Sequence, residues 1–404
     1  MSIGFSFEGV SCKTEKSFAV LKKLADKQHL PCGINEDSAW VSFCRMGTLY
    51  FSVKDNCLSC ECQTNVAGPG FHKAAIDFTE DFLRKIKLSV SIDDETEYSE
   101  HRDFERMRRE HFHNWLLRII DLIKEKLVEN SEYKNLMICW DLNQYTPQEV
   151  EGSVTMPMGR FSAEKLVTRV EREGIEPFAK DFFIWYGEEK DAYFYRNQAL
   201  SRLWEDCFFK PSVRSKEDES VNAYIRSNIE TAAGLSSSIP LPLSEYRLLC
   251  ELDGITAKLL NNPELQTDYT IGYRRGMVTH KLGNLQITLP GDFLLDTEDN
   301  HVILYDDEEN WHAVRLTAFR GKEPPEFSDK LFADSASPAE EFAVENGRGK
   351  MAYAGWQEKD KCHQVIAQIL SGLQVTLITV SFGDEKEKEW AYAFLRGLKS
   401  DVNG

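Results

Sequence analysis

The sequence predicts an α+β protein with an N-terminal antiparallel-sheet unit, a helical middle region and a C-terminal α+β sandwich. Three observations predict it. Short strand-like runs separated by two-residue turns fill residues 39–63. Apolar side chains at helical spacing dominate residues 102–260. Strand-like runs return from residue 285 onward, closed by one amphipathic helix. The change of apolar period along the chain marks the change of architecture.

At 404 residues the chain exceeds one ordinary core, and two or three domains are expected. The divisions are 1–90, an α+β unit; 101–280, mainly helical and either separate from the first or merged with it; and 283–404, α+β. Hydrophobic content of 42% and aromatic content of 11% are those of a folded globular protein. The formal charge of -18 and pI near 5.1 repel polyanions, which argues against nucleic acid or an anionic membrane as partner and favours a basic protein surface. The N-terminus, MSIGFSFEGV, lacks the basic and apolar regions of a secretion signal. The best apolar run, Leu373 to Phe382, is strand-sized and broken by threonines, too short to cross a bilayer. Ten cysteines in such a chain are expected to be reduced thiols, and the protein is expected in a cytoplasm.

Taken in order, Ile3 to Val10 reads as a strand, and Thr14 to Gln28 as a helix with Phe18, Leu21, Leu24 and Ala25 on one stripe. Strands at Ala39–Arg45, Thr48–Lys54 and Leu58–Gln63 form a meander, with Met46-Gly47 and Asp55-Asn56 as turns. A helix at Phe71–Ile86 presents Ala75, Phe78, Phe82 and Ile86. After the acidic linker SIDDETEYSE, one long helix is expected from Arg102 to Val128, with stripes Phe104/Met107/His111/Trp115/Ile119 and Phe112/Leu116/Ile120/Ile123. Strands are expected at Leu136–Leu142 and Ser153–Met158. Ser162 suits an N-cap for a helix from Ala163 to Gly174, and Pro177 suits a helix N1 position.

The densest apolar concentration is Phe182 to Phe209, which holds ten of the forty-six aromatics and is expected at the centre of a core. Phe182 to Tyr186 is open between helix and strand. From Glu188 the stripes Ala192/Tyr195/Ala199/Leu203 and Leu200/Trp204/Phe208 read as a helix buried on two sides, stopped by Pro211. Helices from Val221 to Gly234 and Ser244 to Leu260 follow, then loop from Asn261 to Asn284. The last part reads as strands at Leu285–Leu289, Val302–Tyr305 and His312–Phe319, a helix at Pro338–Asn346, strands at Met351–Gln357, His363–Leu370 and Gln374–Phe382, and a helix from Glu385 to Leu398. No internal repeat is visible.

In this last part a strand runs into Leu289-Pro290-Gly291-Asp292-Phe293, a hairpin and a helix follow, and Phe382-Gly383-Asp384-Glu385 opens a final helix carrying Phe394-Leu395-Arg396-Gly397-Leu398. That order resembles the small α+β domains of the PsbP/DcrB type over the C-terminal third, whereas residues 1–280 carry no such likeness. The resemblance implies a binding or accessory module, some bacterial members of the type resembling chaperones for secreted toxins. It transfers no catalytic residue.

Candidate chemistry is thin. Cys57-Leu58-Ser59-Cys60-Glu61-Cys62 contains a CxxC, which with Cys32, Cys44 or His72 could complete a soft-metal site. On a strand, however, Cys60 and Cys62 share one face and Cys57 takes the other, so buried structural thiols are the expectation. His101, His111 and His113 lie on or beside the long helix. His111 and His113 are about 200° apart round a regular α-helix and cannot share a metal, and His111 falls on the apolar stripe as a core histidine. Ala67-Gly68-Pro69-Gly70 before a helix resembles an anion cradle but lacks the Lys-Ser/Thr of a P-loop, so a tight turn is expected. Asp181, Glu188, Glu189, Asp191, Glu205 and Asp206 beside the aromatic stretch read as a solvated face. Arg102, Arg106, Arg108, Arg109 and Arg118 are largely neutralised by Asp103, Glu105 and Glu110. No GxSxG or HExxH signature occurs.

No catalytic, cofactor-binding or metal residue is therefore assigned. The expectation is a cytoplasmic, non-enzymatic protein-binding accessory protein of the chaperone or immunity type, partnering a bacterial toxin. The alternative is a hydrolase or metal-dependent enzyme with scattered His, Cys and carboxylate groups.

Overall fold

Alternation of apolar and polar side chains decides the first sheet. The strands are β1 (Gly4–Val10), β2 (Cys32–Ile34), β3 (Ser38–Cys44), β4 (Gly47–Lys54), β5 (Cys57–Gln63) and the two-residue β6 (Asp93–Asp94). They pair antiparallel in the order β2-β3-β4-β5-β1-β6. One face carries Phe5, Phe7, Val41, Leu49, Phe51, Cys60 and Cys62, all buried. Helices α1 (Thr14–Lys27) and α2 (Pro69–Ile86) set their apolar stripes against it, with Phe43 on Phe78 and Phe51 on Phe82, each pair at 5.3 Å. The computed structural model describes residues 2–10, 14–129, 135–138, 145–147, 151–209, 216–259, 261–265, 274, 276–298, 301–306 and 311–401. It is α+β throughout. The chain divides into two compact units, Met1–Trp140 with Glu149–Gly272, and Asp141–Gln148 with Tyr273–Gly404.

The single long helix expected from Arg102 is not one helix. Helices α3 (Tyr98–His101) and α4 (Phe104–Met107) lead into a π-helical turn, Arg108–His113, and then α5 (Asn114–Glu129). The extra residue of the π turn rotates everything downstream. The buried stripe therefore begins as Phe104 and Met107 and continues as Phe112, Leu116, Ile120 and Ile123, jumping from one predicted stripe to the other. Periodicity cannot foresee this, because both stripes are apolar.

Strand β7 (Asn135–Met137) pairs parallel with β9 (Ser153–Met156), which pairs with β10 (Gly159–Ser162); β8 (Tyr145–Pro147) between them belongs to the second unit. The expected strand beyond residue 138 lies outside the described residues, as does the stop at Pro211. Ser162 caps α6 (Ala163–Glu173), its Oγ accepting the Lys165 N–H. Helix α7 (Ile175–Phe182) starts two residues before Pro177, whose missing N–H falls in the first turn, where no helical acceptor exists. The open stretch is helical to Phe182, and from Phe183 it is an irregular, bent segment that belongs to no strand. Helix α8 (Ala192–Glu205) begins later than expected because Asp191 caps it, accepting the Phe194 N–H at 2.9 Å. It is buried nearly all round, Arg196, Asn197 and Gln198 included. Helices α9 (Lys216–Leu235) and α10 (Leu243–Leu252) complete the unit. The latter ends well before Leu260, at Asp253-Gly254, where Gly254 takes φ 64°.

The second unit joins a four-stranded and a seven-stranded antiparallel sheet. Strand β11 (Met277–Leu282), inside the region expected to be loop, forms a hairpin about Gly283-Asn284 with β12 (Leu285–Pro290), the strand expected from Leu285. After β13 (Leu294–Glu298), β14 (His301–Tyr305) and β15 (His312–Arg320), the helix expected at Pro338–Asn346 is strand β16 (Glu340–Val344). Its Ala- and Glu-rich composition favours helix. Pairing with β17 (Gly347–Gln357) through a two-residue turn with Asn346 at φ 58° overrides that preference. Strands β18 (Cys362–Ser371) and β19 (Gln374–Phe382), helix α11 (Lys388–Arg396) and the short β20 (Lys399–Ser400) follow. The sheet orders are β20-β12-β11-β8 and β13-β14-β15-β19-β18-β17-β16. Ile287, Leu289, Val314, Val365, Val380, Phe382, Ala391 and Leu395 share this unit's core.

Candidate binding face

Among the described residues the N-terminal sheet has helices on one side only. On the other, the polar phase of the alternation carries two aromatics. Trp40 and Tyr50 are opposite neighbours on β3 and β4, and the row continues through Glu61 on β5 and Ser6 on β1 to Asp93 on β6. Trp40 is 39% and Tyr50 63% exposed. The Trp40 indole lies over Gly33 of β2: a Cβ there would come 2.3 Å from Nε1 and 2.8 Å from Cζ2. The neighbouring row is Ser38, Ser52, Ser59 and Glu8, with the Ser52 and Ser59 hydroxyls 2.8 Å apart. Glu8 accepts a weak bond from the Cys57 thiol at 3.3 Å. Glu61 and Asp93 have no ion-pair or hydrogen-bond partner among the described residues.

Two hollows that share Tyr50 and Glu61 open on this face, of about 780 Å³ and about 700 Å³. The second reaches Arg45. That guanidinium is already engaged by Asp206, at 2.6 Å and 3.0 Å, and by Glu205, while Arg202 also pairs with Asp206. Glu205 and Asp206, expected as a solvated face, are thus tied to the sheet by Arg45. Asp181 holds two guanidiniums, Arg196 at 2.5 Å and Arg169 at 2.7 Å. Glu188 and Glu189 are exposed.

The predicted thiols stand as strand alternation requires, with Cys60 and Cys62 in the core and Cys57 on the opposite face. Burial pushes the Cys44 thiol up to about 12 and raises Cys60 and Cys62 further, so none is a ready nucleophile. Among the described residues no three His, Cys, Asp or Glu side chains converge as a metal site.

The core histidine of the long-helix region is His113, not His111, because the π turn moves it inward. Its Nε2 lies 3.0 Å from the Tyr186 hydroxyl, and the two rings stack at 3° with centroids 5.9 Å apart. Burial lowers its pKa, as does nearby Arg108, and burial raises that of Tyr186. Arg108 sits over the Tyr186 ring at 4.9 Å. His101 is at the surface, 3.5 Å from Glu97. His72 is fully buried between the Thr64 hydroxyl at 3.0 Å and Asp94 at 3.1 Å. Burial alone would raise the Asp94 carboxyl, but His72 and the Ser99 and Thr96 N–H groups hold it well below the usual range. His72 and His113 join core elements through these bonds.

The glycine loop before α2 is filled by protein. Ile184 and Trp185 donate their N–H groups to Val66 and Ala67, and Gly70 donates to the Trp185 carbonyl at 2.9 Å. An anion has no room there.

Sequence reasoning placed Trp40, Tyr50 and Glu61 on strands without singling them out. The signal was present: two large aromatics in the polar phase of strands whose other phase is apolar. No family model matches the chain, and no curated protein matches it.

Proposed function

We propose that this chain is a non-enzymatic accessory protein that binds a basic protein partner through the open face of its N-terminal sheet, as a chaperone or immunity-type partner of a bacterial toxin. The observation that carries the reading is the exposed Trp40–Tyr50 pair beside Glu61, Asp93 and Glu8. Exposed aromatics on a flat face are the usual anchors of protein interfaces, and carboxylates around them select a cationic partner. The hydrogen-bonded state of His72 and His113 and the burial of Cys60 and Cys62 support the non-enzymatic part. Cytoplasmic residence is supported by eight free cysteines among the described residues. No described helix is long and apolar enough to cross a membrane.

Native mass spectrometry of the protein, purified gently from the cells that make it, tests the reading. The expected result is a mass above the 46.4 kDa chain by a second, basic protein. That added mass disappears in a Trp40→Ala/Tyr50→Ala variant whose circular dichroism is unchanged. Added mass of only a metal ion or small molecule would overturn it in favour of a hydrolase or metal-dependent enzyme.

A further inference from the structure

We propose that the Trp40–Tyr50–Glu61 row receives an arginine side chain from an extended basic segment of the partner, a reading that rests on the binding function above and names its chemistry. Residues directly opposite on antiparallel strands hold their Cβ atoms about 5 Å apart. The row therefore sets two aromatic rings and a carboxylate side by side on one surface. A guanidinium suits that sequence of groups. It is planar and weakly hydrated, stacks on aromatic faces, and keeps its N–H edge free for a carboxylate. A lysine ammonium is compact and strongly hydrated, and gains less from the rings.

The seat is built rather than incidental. Gly33 makes room for the indole, since any side chain at that position would displace it. Among the described residues Glu61 has no side-chain partner, so binding there breaks no ion pair among them. Further along the row, Asp93 stands two strands beyond Glu61, about 9.6 Å away. An extended segment repeats its side chains on one face every 6.6–7 Å or so, and the stem of a second basic residue spans the remainder. Serines at 6, 38, 52 and 59 keep the surface low, so a backbone can lie across it. Lys54 is the one cation among the outward strand residues of this face, and Arg45 beyond it is neutralised by Glu205 and Asp206.

Fluorescence anisotropy with labelled octa-arginine and octa-lysine on the full chain, at about 0.15 M ionic strength, tests the assignment. Octa-arginine is expected to bind more tightly than octa-lysine. Trp40→Ala and Gly33→Ala should each weaken it roughly tenfold, and Trp40→Phe should restore most of the loss. Glu61→Gln should weaken it several-fold, while octa-lysine changes little with Trp40→Ala. Equal binding of both peptides, indifferent to Trp40, Gly33 and Glu61, would overturn the proposal and leave only diffuse attraction to an acidic chain. The two readings fail separately. A protein partner lost from the Trp40→Ala/Tyr50→Ala variant but retained by Glu61→Gln, with no arginine preference, keeps the binding face and removes the arginine site. A partner retained by the double variant removes the face itself.

Discussion

The Trp185 carbonyl accepts the Gly70 N–H at 2.9 Å, so the aromatic stretch closes the N-terminus of α2. The approach is tight: a Cβ on Gly70 would lie 2.2 Å from both the Gly187 carbonyl oxygen and the Trp185 ring. Ile184 and Trp185 also donate to the carbonyls of Val66 and Ala67 just before the helix, so these bonds help join α2, the first sheet and the helical region into one core.

Gly70→Ala should therefore destabilise the first unit by about 1–3 kcal/mol, the usual cost of forcing a methyl into a filled site. Urea unfolding followed by tryptophan fluorescence measures it. An unchanged midpoint would mean that the 183–187 segment yields easily.

Tyr186→Phe removes the hydrogen-bond partner of His113 Nε2 while keeping the stacked ring. A buried nitrogen left unpaired costs about 1–3 kcal/mol. Thermal melting should show the loss, and His113→Phe in the same background should recover part of it.

In the second unit two histidines respond to pH with opposite signs. Burial pushes His280 down to about 4, with Arg274 adding to it. The unfolded chain takes up that proton first, so stability contributed by neutral His280 is lost as pH falls from about 6.5 towards 4, on the order of 3 kcal/mol. His280→Phe should flatten the acid limb of a melting-temperature profile.

His312 donates from Nδ1 to Asp306 at 2.7 Å and lies 3.6 Å from Glu387. The Asp306 bond raises its pKa despite burial, helped by the charge of Glu387. Its contribution is complete below about 6.5 and fades as pH rises through the raised folded value. Asp306→Asn should lower the melting temperature at about pH 6 more than at about pH 9. An equal loss at both would contradict the pairing.

Binding through Glu61, Asp93 and Glu8 predicts salt sensitivity. The partner complex should weaken as ionic strength rises from about 0.05 M to about 0.5 M, chiefly through slower association. Surface plasmon resonance separates the two rates. A complex indifferent to salt would assign the interaction to apolar contact alone.

The sheet that carries the proposed site was legible early, because its strands alternate cleanly and their turns are short. The faces of Cys57, Cys60 and Cys62 followed from the same period of two. The site itself was less visible. Trp40, Tyr50 and Glu61 lie far apart in sequence order, and only strand register aligns them. Reading aromatics as core by default also hid the two that face water.

By itself the sequence determined the α+β class, the meander of the first sheet, the Ser162 cap and the acidic balance of the surface. Each depends on residues within one turn or one strand, or on composition summed over the chain. Tertiary structure alone decided the π turn that exchanged His111 for His113, the strand made from helix-favouring Glu340–Val344, the plugging of the glycine loop by Trp185 and the row from Gly33 to Asp93. These are choices between local conformations of similar energy, settled by which partner strand or side chain arrives from elsewhere in the chain.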